Sequence, residues 1–391
     1  MSAKRYFIEP LDVLILRGNK LFGDPGSFGE SLVPPWPSVA AGALRSALLL
    51  HKGYDPARFA RGEIGDDPEL GTPSRPGTFT LTAFQLARRH EDGKVEALFP
   101  LPTDLIATRD DKDRIGFQRL VPHVPAEGIL SSASTMRLAV LPEKERSKPV
   151  TGLWLTADGW MRHVKGESID SGKHLVGSRE LWSLDTRVGV GIDPKQRRAE
   201  DGKLFTVQAV ALRRKEHRNP DGGTPFDVGF LAAVAGAELP EQLTLRLGGD
   251  GRGALARRVA EFVAEPDYEA FVRAGRCRLI LTTPGLFTGG WRPNGTSEHA
   301  AGLHFNLRGV EARLVCAAVP RYETVSGFDL ATWKPKPAQR VVPAGSVYWL
   351  EELEATTDAL RKLAEWGLWS DPPENASRRA EGFNRCTFAA Y

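Results

Sequence analysis

Residues 34–50 read PPWPSVAAGALRSALLL. Prolines at 34, 35 and 37 halt the chain, and a run of small and apolar residues follows at once. The spacing predicts a helix with Ser38 as its N-cap. Ala40, Ala43, Leu44, Ala47 and Leu48 recur at helical intervals and form the face expected to be buried. Ser38, Gly42 and Arg45 fall at i, i+4 and i+7 on the opposite face. A glycine inside a helix costs about 1 kcal/mol relative to alanine, so Gly42 needs an explanation. Either a ligand backbone crosses the helix where a Cβ would clash, or a strand or loop packs closely there. Both readings stay open at this point. The helix N-terminus also favours an anion, through unpaired N–H groups and the helix dipole.

Working outward, the helix sits among strands. Residues 5–16 (RYFIEPLDVLIL) read as a strand and 17–31 as a loop rich in Gly, Asn, Asp and Pro. Strands are expected at 78–88 and 94–108, a hairpin at 152–164 around an ADG turn, and a short helix at 178–184 capped by Ser178. A further strand covers 203–212. Residues 213–225 (RRKEHRNPDGGTP) are charged, then rich in Pro and Gly, and mark a domain boundary. Beyond it, strands are expected at 228–236 and 242–249, a helix at 253–263, and strands at 277–287, 310–319 and 343–351. A helix at 356–369 and a last strand at 384–391 complete the chain. Each half thus reads as an α+β unit, and the order suggests two ferredoxin-like (RRM-like, βαββαβ) domains with β-hairpin insertions, 1–219 and 220–391.

Composition bounds the function. The 391 residues exceed one ordinary core and suit two domains. Lys+Arg is 52 against Asp+Glu 49, which excludes a highly basic arm but allows a local basic surface. Three cysteines without a CxxC pair point to a reducing compartment, and no apolar run is long enough to span a membrane, so the expectation is a cytoplasmic protein. GxxxxGK[ST], HExxH and GxSxG are all absent, and the eight histidines are scattered. No cofactor and no metal site is expected. His51 and His123 are the histidines that suit a general base for RNA cleavage; their ordinary readings are a helix C-terminal cation and a loop histidine. Binding fits the pattern better than catalysis, so no catalytic residue is assigned.

Three glycine loops carry that binding reading. RVGVGIDPKQRRAEDGKLF (187–205) holds Arg187, Gly189, Gly191, Lys195, Arg197 and Arg198. LGGDGRGALARR (247–258) reads as a glycine turn opening a helix, and EGFNRC (381–386) holds Gly382 and Phe383 before the last strand. Exposed backbone N–H groups, arginines for phosphates, and Phe383 or Trp291 as stacking surfaces favour single-stranded nucleic acid.

Several segments also resemble a known family. EPLDVLILRGNKLFG (9–23), PPWPSVAAGALRSALL (34–49), RVGVGID (187–193) with DGKLFTV (201–207), LGGDGRGA (247–254), TPGLFTGGWRP (283–293) and SGFDLATWKPKPAQRVVPAGSVYWLE (326–351) carry the likeness. Together they resemble the RAMP proteins of CRISPR effector complexes, specifically the third subunit of the Cmr (type III-B) complex, over most of the chain. The resemblance implies two fused ferredoxin-like folds and a non-catalytic, RNA-binding role in antiviral defence. It implies a grip on the 5′ handle of the CRISPR RNA (crRNA), with the large polymerase-like/cyclase subunit and the backbone RAMP subunit as neighbours. Target RNA is then met only indirectly. Arg17, Asn19, Ser38, Gly42, Arg45, the 187–198 loop, Lys334 and Lys336 are the expected contacts. The alternative within the same group is a crRNA-processing endoribonuclease; a scaffold that touches only protein is a third reading. Two departures stand out. Many RAMP proteins carry a lysine just before the helix glycine, where this chain has Ala41, and the C-terminal glycine loop keeps only Gly382.

Overall fold

The computed structural model describes residues 3–18, 28–112, 114–126, 137–142, 148–215, 225–260, 265–300, 302–329 and 331–391. It is a mixed α/β protein with mostly antiparallel sheets and few helices. The chain forms two compact units, each assembled from three separate segments. The first takes residues 1–97, 179–261 and 325–338; the second takes 98–178, 262–324 and 339–391. Both therefore draw on chain from either side of residue 219. Most of the expected boundary, 216–224, lies outside the described residues.

The first unit is built on an antiparallel sheet. Strand Lys4–Pro10 lies between Phe226–Ala235 and Gly253–Val259; Thr80–His90 extends one side and Gln242–Arg246 the other. Phe226–Ala235 is buried at nine of its ten residues, as its largely apolar sequence requires, and the one charged residue, Asp227, is paired with Arg89 at 2.9 Å. The helix Pro37–His51 packs on this sheet through Ala40, Ala41, Leu44 and Leu48. A second sheet pairs two long strands, Trp182–Asp193 and Arg198–Leu212, with Phe28–Gly29 parallel to the latter.

The second unit has a six-stranded antiparallel sheet. Its order is Thr296–His299, Gly302–Leu307, Val310–Ala318, Val347–Ala355, Arg276–Leu281, Cys386–Ala389. Helices Tyr268–Ala274 and Thr357–Trp366 cover it, and Phe271, Leu279, Phe305, Leu314, Leu350, Leu360 and Phe388 meet in the core. A polar cluster is sealed beneath the helix Ala157–Lys165. His163 is fully buried, with Nε2 3.1 Å from Asp104 Oδ1 and Nδ1 3.3 Å from Arg119 Nη1. Arg278 Nη1 also lies 3.1 Å from Nε2, so the ring is held between one carboxylate and two guanidiniums. Arg278 bonds the Asp104 carboxylate and donates to the His163 and Ala390 carbonyls at 2.8 and 2.7 Å. Burial lowers the His163 pKa to about 4, so the ring is neutral. Burial also opposes the charge on Asp104, but its interactions with His163 and then with Arg278 outweigh this and hold the carboxyl below its ordinary range.

Several local expectations are corrected. Residues 152–164 are not a hairpin: strand Leu153–Leu155 leads into the helix Ala157–Lys165. Thr156 caps it by accepting from Gly159 N, and Trp160, His163 and Val164 turn inward at helical spacing, which overrides the ADG turn signal. Residues 253–259 form a strand rather than a helix. Ala254 and Ala256 alternate inward and the backbone pairs on both sides, so tertiary pairing outweighs the helix propensity of Ala, Leu and Arg. The expected strand at 94–108 is two, Val95–Pro100 and Leu105–Arg109. The helix at 178–184 ends at Leu181, where the long strand begins. Ser38 is not the N-cap. Trp36 holds that position with Pro37 as the first helical residue, where a missing N–H costs nothing, and Ser38 lies inside the helix.

Candidate nucleic-acid interface

In the first unit, the segment after the first strand is threaded between three others. Leu14 and Val210 exchange backbone hydrogen bonds at 2.9 and 2.8 Å, Leu32 N donates to Leu16 O at 2.8 Å, and Gly249 N donates to Ile15 O at 2.8 Å. This brings Arg17 beside the 247–254 glycine loop, with Nη2 3.4 Å from Asp250 Oδ1 and half the side chain in solvent. Ser31 fastens the same region to the long hairpin by donating from Oγ to Gln208 O at 2.5 Å. Two expected contact segments, around Arg17 and around Asp250, are therefore neighbours. Asn19 lies outside the described residues.

The glycine segment 187–205 is not a loop but most of a β-hairpin. Its turn is closed by Asp193, whose carboxylate accepts from Lys195 N at 2.8 Å and Gln196 N at 3.1 Å; Arg197 takes a left-handed conformation (φ 52°) there. Lys195, Arg197 and Arg198 stand exposed at that tip. Alternation divides the body of the hairpin. One face carries Leu184, Val188, Val190 and Ile192, with Leu204 opposite Val190, all largely exposed and Val188 most so at 69%. The other carries Arg187, paired with Asp185 at 2.8 Å, together with Gly189 and Gly191. Neither glycine is an open backbone surface. The Phe205 ring lies across Gly189, and Lys203 Cβ would be 2.8 Å from a Cβ added at Gly191. Cross-strand covering of glycine keeps the strand packed where it has no side chain of its own.

The helix Pro37–His51 resolves part of the question posed by Gly42. Gly42 is exposed, and a Cβ there would meet no atom within 4 Å among the described residues. No described strand or loop packs over it. Ser38 is half-buried one turn before it. Arg45 points along the surface to Leu70, donating to its carbonyl at 2.8 Å and tying the 67–77 loop to the helix. Ala41 is fully buried, so the position that carries a lysine in many RAMP proteins faces the core here.

Lys334 and Lys336 belong to a small hairpin, Phe328–Asp329 with Lys334–Pro335, whose aromatic tip the sequence reading passed over. Trp333 is 74% exposed and meets Phe328 edge-on at 5.5 Å. A tryptophan immediately before the KPKP run was the available signal.

The remaining expected RNA contacts lie in the second unit. Phe383 is fully buried with Arg378 against its ring at 5.3 Å, so no ring face is open to a base. Gly382 takes φ 90° and accepts from Thr283 Oγ1 at 2.8 Å. The Arg378–Glu381 ion pair and Asn384, which donates to Leu286 O and Leu368 O, make this loop a packed structural element. Trp291 is half-buried and lines a groove. His51 and His123 are both exposed, and neither ring has a hydrogen-bond partner among the described residues. Among those residues there is also no group of three or more metal-binding side chains, and no helix long and apolar enough to cross a membrane.

Comparison with known proteins adds the following. Chains of two solved structures match this one: "Cryo-EM structure of the Type III-B Cmr-beta bound to cognate target RNA and AMPPnP, state 1" and "Cryo-EM structure of the Type III-B Cmr-beta bound to cognate target RNA". In each, the matching chain is 13% identical with a TM-score of 0.48, over 98% of this chain and 96% of that one. No curated protein matches. The family model described as "CRISPR-associated protein (Cas_Cmr3)" matches residues 6–389. With the match running over nearly the whole chain and the conspicuous segments of its sequence all inside it, the chain belongs to the Cas_Cmr3 family of CRISPR-associated proteins.

Proposed function

We propose that this chain is a non-catalytic, RNA-binding subunit of a type III-B (Cmr) CRISPR effector complex in the cytoplasm. In this reading it anchors the 5′ handle of the crRNA and docks the large polymerase-like/cyclase subunit beside the backbone RAMP subunit. The family match over residues 6–389 carries the proposal. The geometry supports it from the first unit: Arg17 beside the Asp250 loop, the cationic hairpin tip at Lys195, Arg197 and Arg198, and the Trp333 finger with its lysines. The aliphatic hairpin face supports a contact with protein on the side opposite Arg187. Two fused ferredoxin-like domains, 1–219 and 220–391, remain the evolutionary account this reading gives of the two sheets.

The test uses the assembled complex with a crRNA carrying 4-thiouridine through its handle. Crosslinks from handle positions to this chain are expected, reduced when Arg17, Arg197 and Arg198 are changed to Gln. Crosslinks only to other subunits would reject RNA anchoring and leave a protein scaffold. With about four phosphates neutralised, log affinity falls against log salt with a slope near −3. Specific metal-free cleavage of repeat RNA, abolished by His51→Ala or His123→Ala, would replace this reading with a processing endoribonuclease.

A further inference from the structure

The second unit holds a groove of about 700 Å³, within the range of small-ligand sites. Its floor is apolar and partly aromatic: Phe287, Trp291, Ala317 and Val319 pack on the core from one side and line the groove on the other. Its rim is cationic. Arg321 and Arg340 stand exposed at the mouth, and the Arg340 guanidinium lies 4.6 Å from the centre of the Tyr322 ring, which is 59% exposed. Among the described residues, no aspartate or glutamate lines the groove. Arg137, on its wall, is already neutralised by both oxygens of Glu351, at 2.5 and 2.9 Å. Arg321 and Arg340 have no carboxylate partner among the described residues.

An apolar, partly aromatic floor with two guanidiniums at its rim that have no carboxylate partner among the described residues calls for a ligand with a planar ring at one end and an anion at the other. The guanidinium fork matches phosphate geometry, and aromatic faces accept any base. An extended peptide fits less well. The wall strand Leu138–Val140 already pairs with Val121–His123, and Arg137 N donates to Val315 O at 3.0 Å, so that wall offers side chains rather than an open strand edge. We infer that this groove binds one nucleoside monophosphate unit, its base against Trp291 and Phe287 and its phosphate between Arg321 and Arg340. The inference does not depend on handle binding, which was placed in the first unit.

The experiment titrates the full chain calorimetrically with AMP, GMP, CMP and UMP, with adenosine and inorganic phosphate alongside. At least one nucleotide is expected to saturate below about 10 mM and to bind more tightly than adenosine or phosphate alone. The exposed double variant Arg321→Gln/Arg340→Gln should weaken it about tenfold or more, and Trp291→Leu should weaken nucleotide and adenosine together. Absence of saturation by all four, equal affinity for AMP and adenosine, or full affinity in the arginine variant would each overturn the assignment. Where a nucleotide binds, single-stranded RNA added as competitor separates the sources: displacement means a strand supplies the unit, and continued binding means a free nucleotide does. Both outcomes retain the site. A chain that fails the handle crosslinking test and passes this one loses its proposed function but keeps the groove.

Discussion

Phe205 stands directly opposite Gly189 across the long hairpin, and its ring fills the space a side chain at Gly189 would need. A glycine that reads in sequence as a backbone surface for phosphate is thus the floor of an aromatic contact. Gly189→Ala should destabilise the hairpin by about 1–3 kcal/mol, the ordinary cost of overpacking. Combining it with Phe205→Ala should recover part of that loss. Hydrogen exchange across residues 182–212 reads both, and additive effects would show that the two residues do not meet.

Gly42 behaves oppositely. Its Cβ direction is open, so Gly42→Ala should stabilise the protein by about 1 kcal/mol through helix propensity alone. Thermal melting measures this. If RNA crosses the helix here, the same variant binds handle RNA more weakly while melting higher, a combination that a folding defect does not produce. Higher melting with unchanged binding would remove Gly42 from the interface.

Arg45 has a structural duty in this fold. Its bond to the Leu70 carbonyl is charge-assisted and half-buried, so Arg45→Ala should cost about 1–3 kcal/mol and loosen the 67–77 loop. Limited proteolysis of that loop, beside an RNA-binding measurement, separates the two roles. Weaker binding with an intact loop would assign Arg45 to RNA.

The His163 cluster gives the protein an acid sensitivity with a defined window. The ring ionises near pH 4 when folded against 6.5 ordinarily. Above pH 6.5 both states are neutral at this site. Between 6.5 and 4 the unfolded chain takes up a proton that the folded chain refuses, so stability falls as pH falls. The loss reaches about 3 kcal/mol by pH 4. The lowered Asp104 pKa continues the decline below its ordinary value of 3.8. Denaturant melts from pH 7 to 4 check this, and His163→Gln should flatten the upper part of the slope.

Much of the fold was legible locally. The helix after the proline stop and the strands expected at 228–236 and 343–351 follow from periodicity and apolar content, although the last is shifted to Val347–Ala355. The errors came where two local signals competed. Residues 253–259 are rich in helix formers yet become a strand because two partner strands are waiting. Residues 157–165 contain a turn signal yet become a helix because Trp160, His163 and Val164 need the core. The site was legible as residue types but not as surfaces. Sequence named Phe383 and Trp291 equally as stacking rings, and nothing local reveals that one is sealed and the other half-open.

The sequence by itself determined the α+β character, the family, and the helix that follows the PPWP stop, because short-range periodicity and ordered motifs carry that information. Tertiary structure alone decided that each compact unit interleaves three segments, that Gly189 and Gly191 are covered while Gly42 is open, and that Arg17 sits beside the Asp250 loop. The physical reason is that these depend on which segments meet in space: Arg17 and Asp250 are 233 residues apart, and the register of the long hairpin sets Phe205 against Gly189. Local propensity is indifferent to that choice; the burial of a shared core is not.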